Sequence, residues 1–365
     1  MTPAAEVPHL ASSSRYGTGI ACEDSASGES RWRRRVAGIP LLPRKLRVTE
    51  GASIILRALA VVFALVWRVQ ASAPMRLLVA GDKSHAGKTT VSLGLLSALL
   101  DAGFKPQEIA YIKPATQCVS STITARFCES MGIACEHIGP VVFYRGFTRQ
   151  YLDGTDPDAN DQTLVERCAA AVERIERGDA ASGASRKKLT IIDGVGYPSV
   201  GSIVGCSSAD LAVACRAPVL IVGRPGLGDA IDSFNLCARY FEGQRVPVLG
   251  CVFNKVAFDG FYGANKIKPY MVKYMQTSRP SQHVYGLLPQ DERLAKLADE
   301  ETCGINFKRP ESSAAGSLTD ADRQIVTVIA AAFKEHVDVQ ALLKDLERAL
   351  ECPAEFVPTP KTFPM

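Results

Sequence analysis

The stretch "VAGDKSHAGKTT", from Val79 to Thr90, is the most informative part of the sequence about its fold, because it joins an apolar run to a glycine-rich turn and then to a helix-prone segment. It resembles a phosphate-binding loop, whose usual pattern is G-x-x-x-x-G-K-[ST]. Here five residues rather than four separate Gly81 from Gly87, and an additional lysine, Lys83, precedes Lys88 by five positions. The spacing indicates a loop of a particular class.

A phosphate cradle requires a strand, a tight turn of backbone N–H groups and a helix whose N-terminus faces the anion. The sequence predicts all three in order, with a helix that begins at Lys88. Lys88 is predicted to reach the β- and γ-phosphates, and the Thr89 hydroxyl to bind Mg²⁺; the alternative is an ordinary turn between a strand and a helix. The predicted nucleotide-binding residues of the loop are Gly81, Lys83, Ser84, His85, Ala86, Gly87, Lys88, Thr89 and Thr90.

Short apolar runs alternate with helix-prone segments along most of the chain after Met75. This alternation predicts a parallel sheet that helices cover on both faces. We therefore expect a doubly wound α/β fold with a mainly parallel sheet, as in P-loop NTPases, and sites at the carboxyl ends of the strands. The predicted strands are 75–80, 109–112, 189–193, 218–223, 248–253 and 283–288.

The chain divides into four predicted parts. Residues 75–308 form the ATP-binding domain, 309–350 two helices packed on it with Thr319 and Asp338 as caps, and 351–365 a flexible tail.

Residues 1–74 are predicted to be a basic, disordered segment, with an apolar run at 54–67. That run is shorter than the roughly 20 residues that a membrane-spanning helix needs. A targeting leader, a short membrane anchor and a helix packed on the domain all remain open for this part.

Composition favours a protein that is mostly globular and soluble. Of the 365 residues 47% are apolar, the net charge is +4, and no basic stripe interleaved with aromatic residues indicates nucleic-acid binding. The 11 cysteines show no C-x-x-C or zinc spacing, and several, such as Cys215, Cys237 and Cys251, lie in apolar runs. We expect free thiols in a reducing intracellular compartment, either the cytoplasm or an organelle.

The loop "DKSHAGKTT" resembles the deviant phosphate loop in which an extra lysine stands five positions before the main lysine, as Lys83 does here. In the partitioning ATPases of that class the extra lysine reaches across a dimer to a nucleotide, which implies a homodimer. A second branch contains dethiobiotin synthetase, whose G-T-D-T-x-x-G-K-T loop has the length of Gly81–Thr89.

Two later segments resemble the dethiobiotin synthetase branch. "YIKPATQC" (111–118) is similar to its Y-x-K-P segment, and the resemblance implies that Lys113 holds the substrate. "TIIDGVGYPSVGS" (190–202) is similar to a strand that ends in acid-Gly-x-Gly, which implies that Asp193 holds Mg²⁺. The alternatives are a surface lysine before a turn and a plain Asp–Gly turn.

The longest resemblance runs through "SADLAVACRAPVLIVGRPGLGDAIDSFNLCARYF" and "PVLGCVFNKV". The same order of segments occurs in dethiobiotin synthetases and in the ATP domain of cobyrinic acid a,c-diamide synthases. It implies that Asn254 reads the adenine edge and that "GLLPQDERL", with Pro289, closes over the base. The likeness covers about residues 75–346.

The chain departs from both relatives on the substrate side. About 20 residues follow Asp345, too few for the glutamine-hydrolysing domain of the diamide synthases. The T-D-T of dethiobiotin synthetase is replaced by Asp82, Lys83 and Ser84, and the segment 118–135 offers only Glu129 for a further Mg²⁺-binding acid. The pattern implies the same ATP machinery directed at another substrate, or at none.

The leading hypothesis is an Mg-ATP-dependent enzyme that phosphorylates a carboxylate or carbamate on a small-molecule acceptor for ring closure or ligation. Lys88, Lys113 and Asp193 are its predicted catalytic residues, and Thr89 and Asp193 its metal ligands. One alternative is a regulatory ATPase that dimerises on ATP through Lys83. The other is a nucleotide-binding module without turnover.

Overall fold

The structure of the protein is a computed structural model that describes six stretches of the chain. These are residues 74–117, 121–136, 138–155, 161–178, 186–294 and 316–357. The predicted leader, including its apolar run at 54–67, lies outside the described residues, as does the end of the predicted tail from 358 onward.

The strands are numbered along the described chain as β1 (Met75–Gly81), β2 (Ile109–Ile112), β3 (Ala115–Thr116), β4 (Ala134–Glu136), β5 (Val141–Val142), β6 (Leu189–Asp193), β7 (Val219–Gly223), β8 (Val248–Val256) and β9 (His283–Pro289). The α-helices are α1 (Lys88–Asp101), α2 (Ile123–Met131), α3 (Phe147–Leu152), α4 (Leu164–Arg177), α5 (Ser208–Ala214), α6 (Gly228–Gly243), α7 (Ala264–Ser278), α8 (Asp320–His336) and α9 (Val339–Glu351).

Seven strands form one parallel sheet in the order β4-β2-β6-β1-β7-β8-β9, and β3 and β5 form a separate parallel pair. The strand that enters first, β1, lies between β6 and β7. From β1 the chain goes to β2 on one side of the sheet, and after β6 it crosses to β7 on the other. Such a switch point opens a crevice at the carboxyl ends of the central strands, which is where ligands bind in this fold. The fold is the doubly wound P-loop NTPase architecture that the sequence predicts.

Helices cover both faces of the sheet, which explains why its central strands are apolar along their whole length. Every residue of β6 and β7 is buried. One face shares a core with α3, α4, α5, α6 and α7, and the other shares a core with α1, α2, α8 and α9. A strand buried on both faces has no alternation of polar and apolar residues.

The two C-terminal helices begin at the residues that the sequence predicts as caps. The Thr319 hydroxyl accepts a hydrogen bond from the backbone N–H of Asp322 (3.1 Å), and Asp338 accepts one from the N–H of Ala341 (2.9 Å). Each side chain satisfies a backbone donor that the helix itself leaves unpaired. The caps fix where α8 and α9 start.

The helix α8 packs on α1 through a glycine. A Cβ atom at Gly94, in the middle of α1, would lie 2.2 Å from Cδ2 of Phe333, whose ring is fully buried. The glycine is therefore needed for space, and its missing side chain lets the Phe333 ring lie against the backbone of α1.

Replacing Gly94 by valine should lower the free energy of unfolding by about 1–3 kcal/mol, since the added atoms displace the Phe333 ring from a filled core. Urea unfolding followed by circular dichroism measures this change. Gly243→Ala at the end of α6 is the matched control, because a Cβ there meets nothing within 4 Å. Equal midpoints for Gly94→Val and wild type would refute the packing argument.

The eight described cysteines are free thiols, as the sequence predicts. Six of them are buried, including Cys215, Cys237 and Cys251. Among the described helices, none combines the length and the apolar character that crossing a membrane would take.

Candidate functional site

Backbone hydrogen bonds join the start of the glycine-rich turn between β1 and α1 to the two strands beside β1, namely β6 and β7. The N–H of Gly81 donates to the carbonyl of Gly196 after β6 (3.3 Å), and the N–H of Asp82 donates to the carbonyl of Val222 on β7 (2.9 Å). His85 takes up a left-handed backbone conformation (φ 58°) at the tip of the turn. The turn therefore lies directly over the switch point of the sheet.

The N-terminus of α1 is open toward this turn. Gly87 precedes it without a side-chain cap, and its first turn contains no acidic residue. Lys88 and Thr89 begin the helix and are 8% and 3% exposed. Uncapped N–H groups, the positive end of the helix dipole and a buried ammonium together favour an anion.

The tip of the turn is exposed to solvent, unlike the start of α1. Lys83, Ser84 and His85 are exposed, whereas the residues from Ala86 to Thr89 are buried. The nine loop residues predicted from the sequence thus run without interruption from the last residue of β1, through the glycine-rich turn, into the first turn of α1, and only the tip of the turn is exposed.

Asp82, which replaces a threonine of the dethiobiotin synthetase loop, forms an ion pair that anchors the turn. Its Oδ2 accepts from Nε of Arg224 (2.8 Å) and from the backbone N–H of Arg224 (3.1 Å), just beyond β7. The hydrogen bond to Asp82 raises the pKa of Arg224. The pair joins the start of the turn to the end of β7.

Asn254 braces the other end of the turn. Its Nδ2 donates to the carbonyl of Ala86 (3.1 Å), and its Oδ1 accepts from the N–H of Lys255 (2.9 Å). The Nζ of Lys255 in turn donates to the carbonyl of His85 (3.0 Å). A Cβ at Gly87 would lie 2.0 Å from Nδ2 of Asn254, so only glycine allows this close approach. An amide keeps one further N–H and one further lone pair after two such bonds, and adenine recognition by Asn254 stays a prediction.

Asp193 ends β6 beside the turn and is fully buried. Its Oδ2 accepts a hydrogen bond from the hydroxyl of Tyr111 (2.8 Å) and lies 3.5 Å from Nζ of Lys113. Its Oδ1 has no hydrogen-bond partner among the described residues. Burial, and then the charge of Asp193, hold the pKa of Tyr111 well above its ordinary value, so the hydroxyl stays a donor.

A buried carboxylate oxygen without a partner is unfavourable unless a cation or a donor meets it. Mg²⁺ takes oxygen ligands and is commonly held by one or two carboxylates together with substrate phosphates. Asp193 supplies such an oxygen, and Thr89 supplies a buried hydroxyl in the first turn of α1. The residues present therefore fit the predicted magnesium site.

The segment around Lys113 adjoins the loop that follows Asp193. Lys113 is 7% exposed, and the small β3–β5 sheet follows it directly. Phe143, just after β5, lies against Gly201 of the loop after β6, since a Cβ there would be 3.0 Å from Cζ of Phe143. The two segments that carry the predicted substrate-side residues thus contact each other.

The remaining predicted residues differ in how closely they approach this site. The Thr124 hydroxyl donates to the carbonyl of Thr89 (3.5 Å), so the start of α2 contacts the first turn of α1. That turn of helix directly follows the glycine-rich turn, which is called the phosphate turn below. Glu129 lies five residues further along α2, roughly 7 Å along its axis, and is exposed. Pro289 ends β9 opposite Val256, at the edge of the sheet that also carries Asn254. Its contact with a base stays a prediction.

Sequence reasoning assigned no role to Tyr111, Arg224 or Lys255. A signal for Tyr111 was present, because side chains two apart on a strand share a face. Tyr111 and Lys113 are therefore expected on one face of the sheet, and Asp193, two residues after the register partner of Tyr111, lies on the same face. No comparable signal identified Arg224 as the partner of Asp82, since that pair joins residues 142 positions apart.

Similarity to known proteins covers the same part of the chain. A family model described as an AAA domain matches residues 75–296. The chain is 40% identical over 230 residues to a cobyrinate a,c-diamide synthase of Methanosarcina barkeri, a match over 59% of this chain and 37% of that protein. It is 28% identical over 209 residues to the ATP-dependent dethiobiotin synthetase BioD of Aquifex aeolicus, over 56% of this chain and 87% of that protein.

Among solved structures, the chain is similar to a nucleotide-binding protein of Archaeoglobus fulgidus in complex with ADP. The sequence identity is 17% and the TM-score is 0.33, over 66% of this chain and 93% of the other. The chain spans little more than a third of the length of the cobyrinate synthase but most of the length of the dethiobiotin synthetase.

Proposed function

The chain belongs to the AAA domain family, and from this membership and the site geometry we propose that it uses Mg-ATP to phosphorylate a carboxylate or carbamate on a small molecule. The observation that supports this most is the juxtaposition of Asp193, with one unpartnered oxygen, and the buried Lys113 beside the phosphate turn. The turn accounts for the nucleotide, and the second buried cation accounts for an anionic acceptor.

The phosphate turn and α1 bind the nucleotide phosphates in this proposal. Backbone N–H groups of residues 84–89 and the Lys88 ammonium surround the negative charge that spreads over the transferred phosphoryl group. Thr89 and Asp193 would hold the magnesium ion, which when bound would supply positive charge against the phosphates. The ion pair between Asp82 and Arg224 fixes the conformation of the turn before the nucleotide binds.

Lys113 selects the acceptor. A buried ammonium at the end of β2 stabilises an anionic group and disfavours a neutral or cationic one. It lies next to Asp193, so an acceptor carboxylate or carbamate held by Lys113 is close to the predicted metal ligand. The acceptor class follows from this charge, and the resemblance to dethiobiotin synthetase makes a carbamate the first candidate.

The proposal is tested by ADP release from the full chain with Mg-ATP, with and without 7,8-diaminopelargonate plus bicarbonate. We expect stimulation by the acceptor, and Lys113→Gln should lose it while basal hydrolysis continues. Lys268→Gln on the exposed face of α7 is the matched control. If neither this acceptor nor a panel of small carboxylic acids stimulates ADP release, the proposal is refuted.

A second candidate function is a nucleotide-dependent switch that self-associates. The observation in its favour is the exposed tip of the turn with Lys83, together with exposed aromatic side chains such as Phe258 and Phe261 after β8. Size-exclusion chromatography with ATP and with ADP separates the two functions. ATP-dependent dimers that Lys83→Ala abolishes, with no effect of any acceptor, would favour the switch.

A further inference from the structure

We propose that Tyr111 is a positioning residue, whose hydroxyl holds the carboxylate of Asp193 so that Oδ1 faces the divalent cation of the metal–nucleotide complex. The inference rests on the proposed function in one respect, namely that Asp193 is a metal ligand. It assigns a role to a residue to which the proposed function gives none.

The sheet itself brings the two side chains together. The strands β2 and β6 are parallel neighbours, and Tyr111 lies opposite Ile191 in their register. Because side chains two apart on a strand share a face, Asp193 lies on the same face as Ile191 and two residues nearer the carboxyl end of β6. The Tyr111 hydroxyl meets Oδ2 at 2.8 Å, and both residues are fully buried.

The carboxylate needs such a restraint because rotation about its last side-chain torsion is soft. A hydrogen bond to one oxygen fixes the plane of the carboxylate, and with it the direction in which the other oxygen points. Among the described residues, Tyr111 supplies the hydrogen bond that Asp193 accepts, while Lys113 stands at 3.5 Å from the same oxygen at the end of a flexible stem. The hydroxyl therefore determines that Oδ2 is occupied and that Oδ1 remains available.

The Tyr111 hydroxyl contacts the carboxylate directly, so it acts on the proposed metal ligand and not on the metal itself. Partners that orient a metal ligand in this way commonly contribute 10–100-fold to metal affinity.

The test is Mn²⁺ binding to the full chain in the presence of ADP, followed by electron paramagnetic resonance, in wild type and Tyr111→Phe. Phenylalanine keeps the ring and removes only the hydroxyl. We expect Tyr111→Phe to bind Mn²⁺ roughly 10-fold more weakly or worse, with the affinity for ADP alone unchanged. No acceptor and no turnover enter this measurement.

A matched control exists at the opposite edge of the sheet. The hydroxyl of Tyr285 is also buried and also donates to a carboxylate, Oδ2 of Asp345, at 2.7 Å. The Tyr285 hydroxyl also lies 3.1 Å from the carbonyl of Leu249. Tyr285→Phe removes a buried hydrogen bond from a tyrosine to a carboxylate on β9, away from β1 and the glycine-rich turn, and should change neither affinity.

Each outcome decides the proposal. Wild-type Mn²⁺ affinity in Tyr111→Phe overturns it, and so does an equal loss of metal-free ADP affinity, which would indicate a general structural role. If wild type with ADP binds no Mn²⁺, Asp193 is not a metal ligand and the proposal falls with it. If the Mn²⁺ result holds but no acceptor is phosphorylated, only the proposed function fails.

Discussion

Replacing Lys88 by alanine should lower ATP turnover by roughly 10²–10³-fold or more, while the protein stays folded. The ammonium is buried at the start of α1, where water cannot replace it as a partner for the phosphates. Its charge matters most when negative charge spreads over the transferred group, so the loss falls mainly on kcat. Steady-state ADP release with saturating Mg-ATP measures the effect, and circular dichroism checks the fold.

Lys187 provides the matched control for Lys88. It is equally buried, at 7% exposed against 8%, but it lies just before β6 at the amino end of the sheet, where its Nζ donates to the carbonyl of Gln107 (2.9 Å). Lys187→Ala should keep its turnover. Retained turnover in Lys88→Ala would mean that the turn does not bind the reacting phosphates, and the proposed function would be abandoned.

Asp193→Asn should have an effect of similar size, through the metal. Asparagine has nearly the same shape and can still accept from the Tyr111 hydroxyl, but it lacks the charge that a divalent cation requires. A bound metal ion contributes several kcal/mol to transition-state stabilisation, and a loss of about 4 kcal/mol corresponds to roughly 10³-fold in rate. Turnover measured across a Mg²⁺ titration should show both a lower maximum and a higher half-saturating concentration.

Asp345→Asn is the corresponding control, since Asp345 is also a buried carboxylate that accepts from a tyrosine hydroxyl. It should leave the Mg²⁺ dependence unchanged. An unaltered Mg²⁺ titration in Asp193→Asn would remove Asp193 from the metal site, whatever its effect on stability.

The main strands of the sheet could be predicted from the sequence because each is an apolar run bounded by turn residues. β1, β2 and β6 match the predicted stretches within a residue. β8 continues three residues beyond the predicted 253 to Val256, where the polar Asn254 and Lys255 conceal the strand. The short elements β3, β4, β5 and α3 have too few residues to show a period, so they were missed.

The phosphate turn and Asp193 could be predicted because motif and strand order place them at one edge of the sheet. The ion pair of Asp82 with Arg224 and the bracing of Ala86 by Asn254 could not, because each depends on contacts between residues that are far apart in the chain. In both cases the side chain was visible in the sequence, but its partner was determined by packing.

The contact between Gly94 and Phe333 has a practical consequence for dividing the chain into expression fragments. The recognisable family region ends at residue 296, yet the side chains that complete the core over α1 continue to Phe356. A fragment cut at the family boundary would leave the apolar surface of α1 around Gly94, where Phe333 packs, in contact with water. A fragment designed for crystallography or in-cell expression is better ended after Phe356, because the unit that folds is longer than the unit that sequence families recognise.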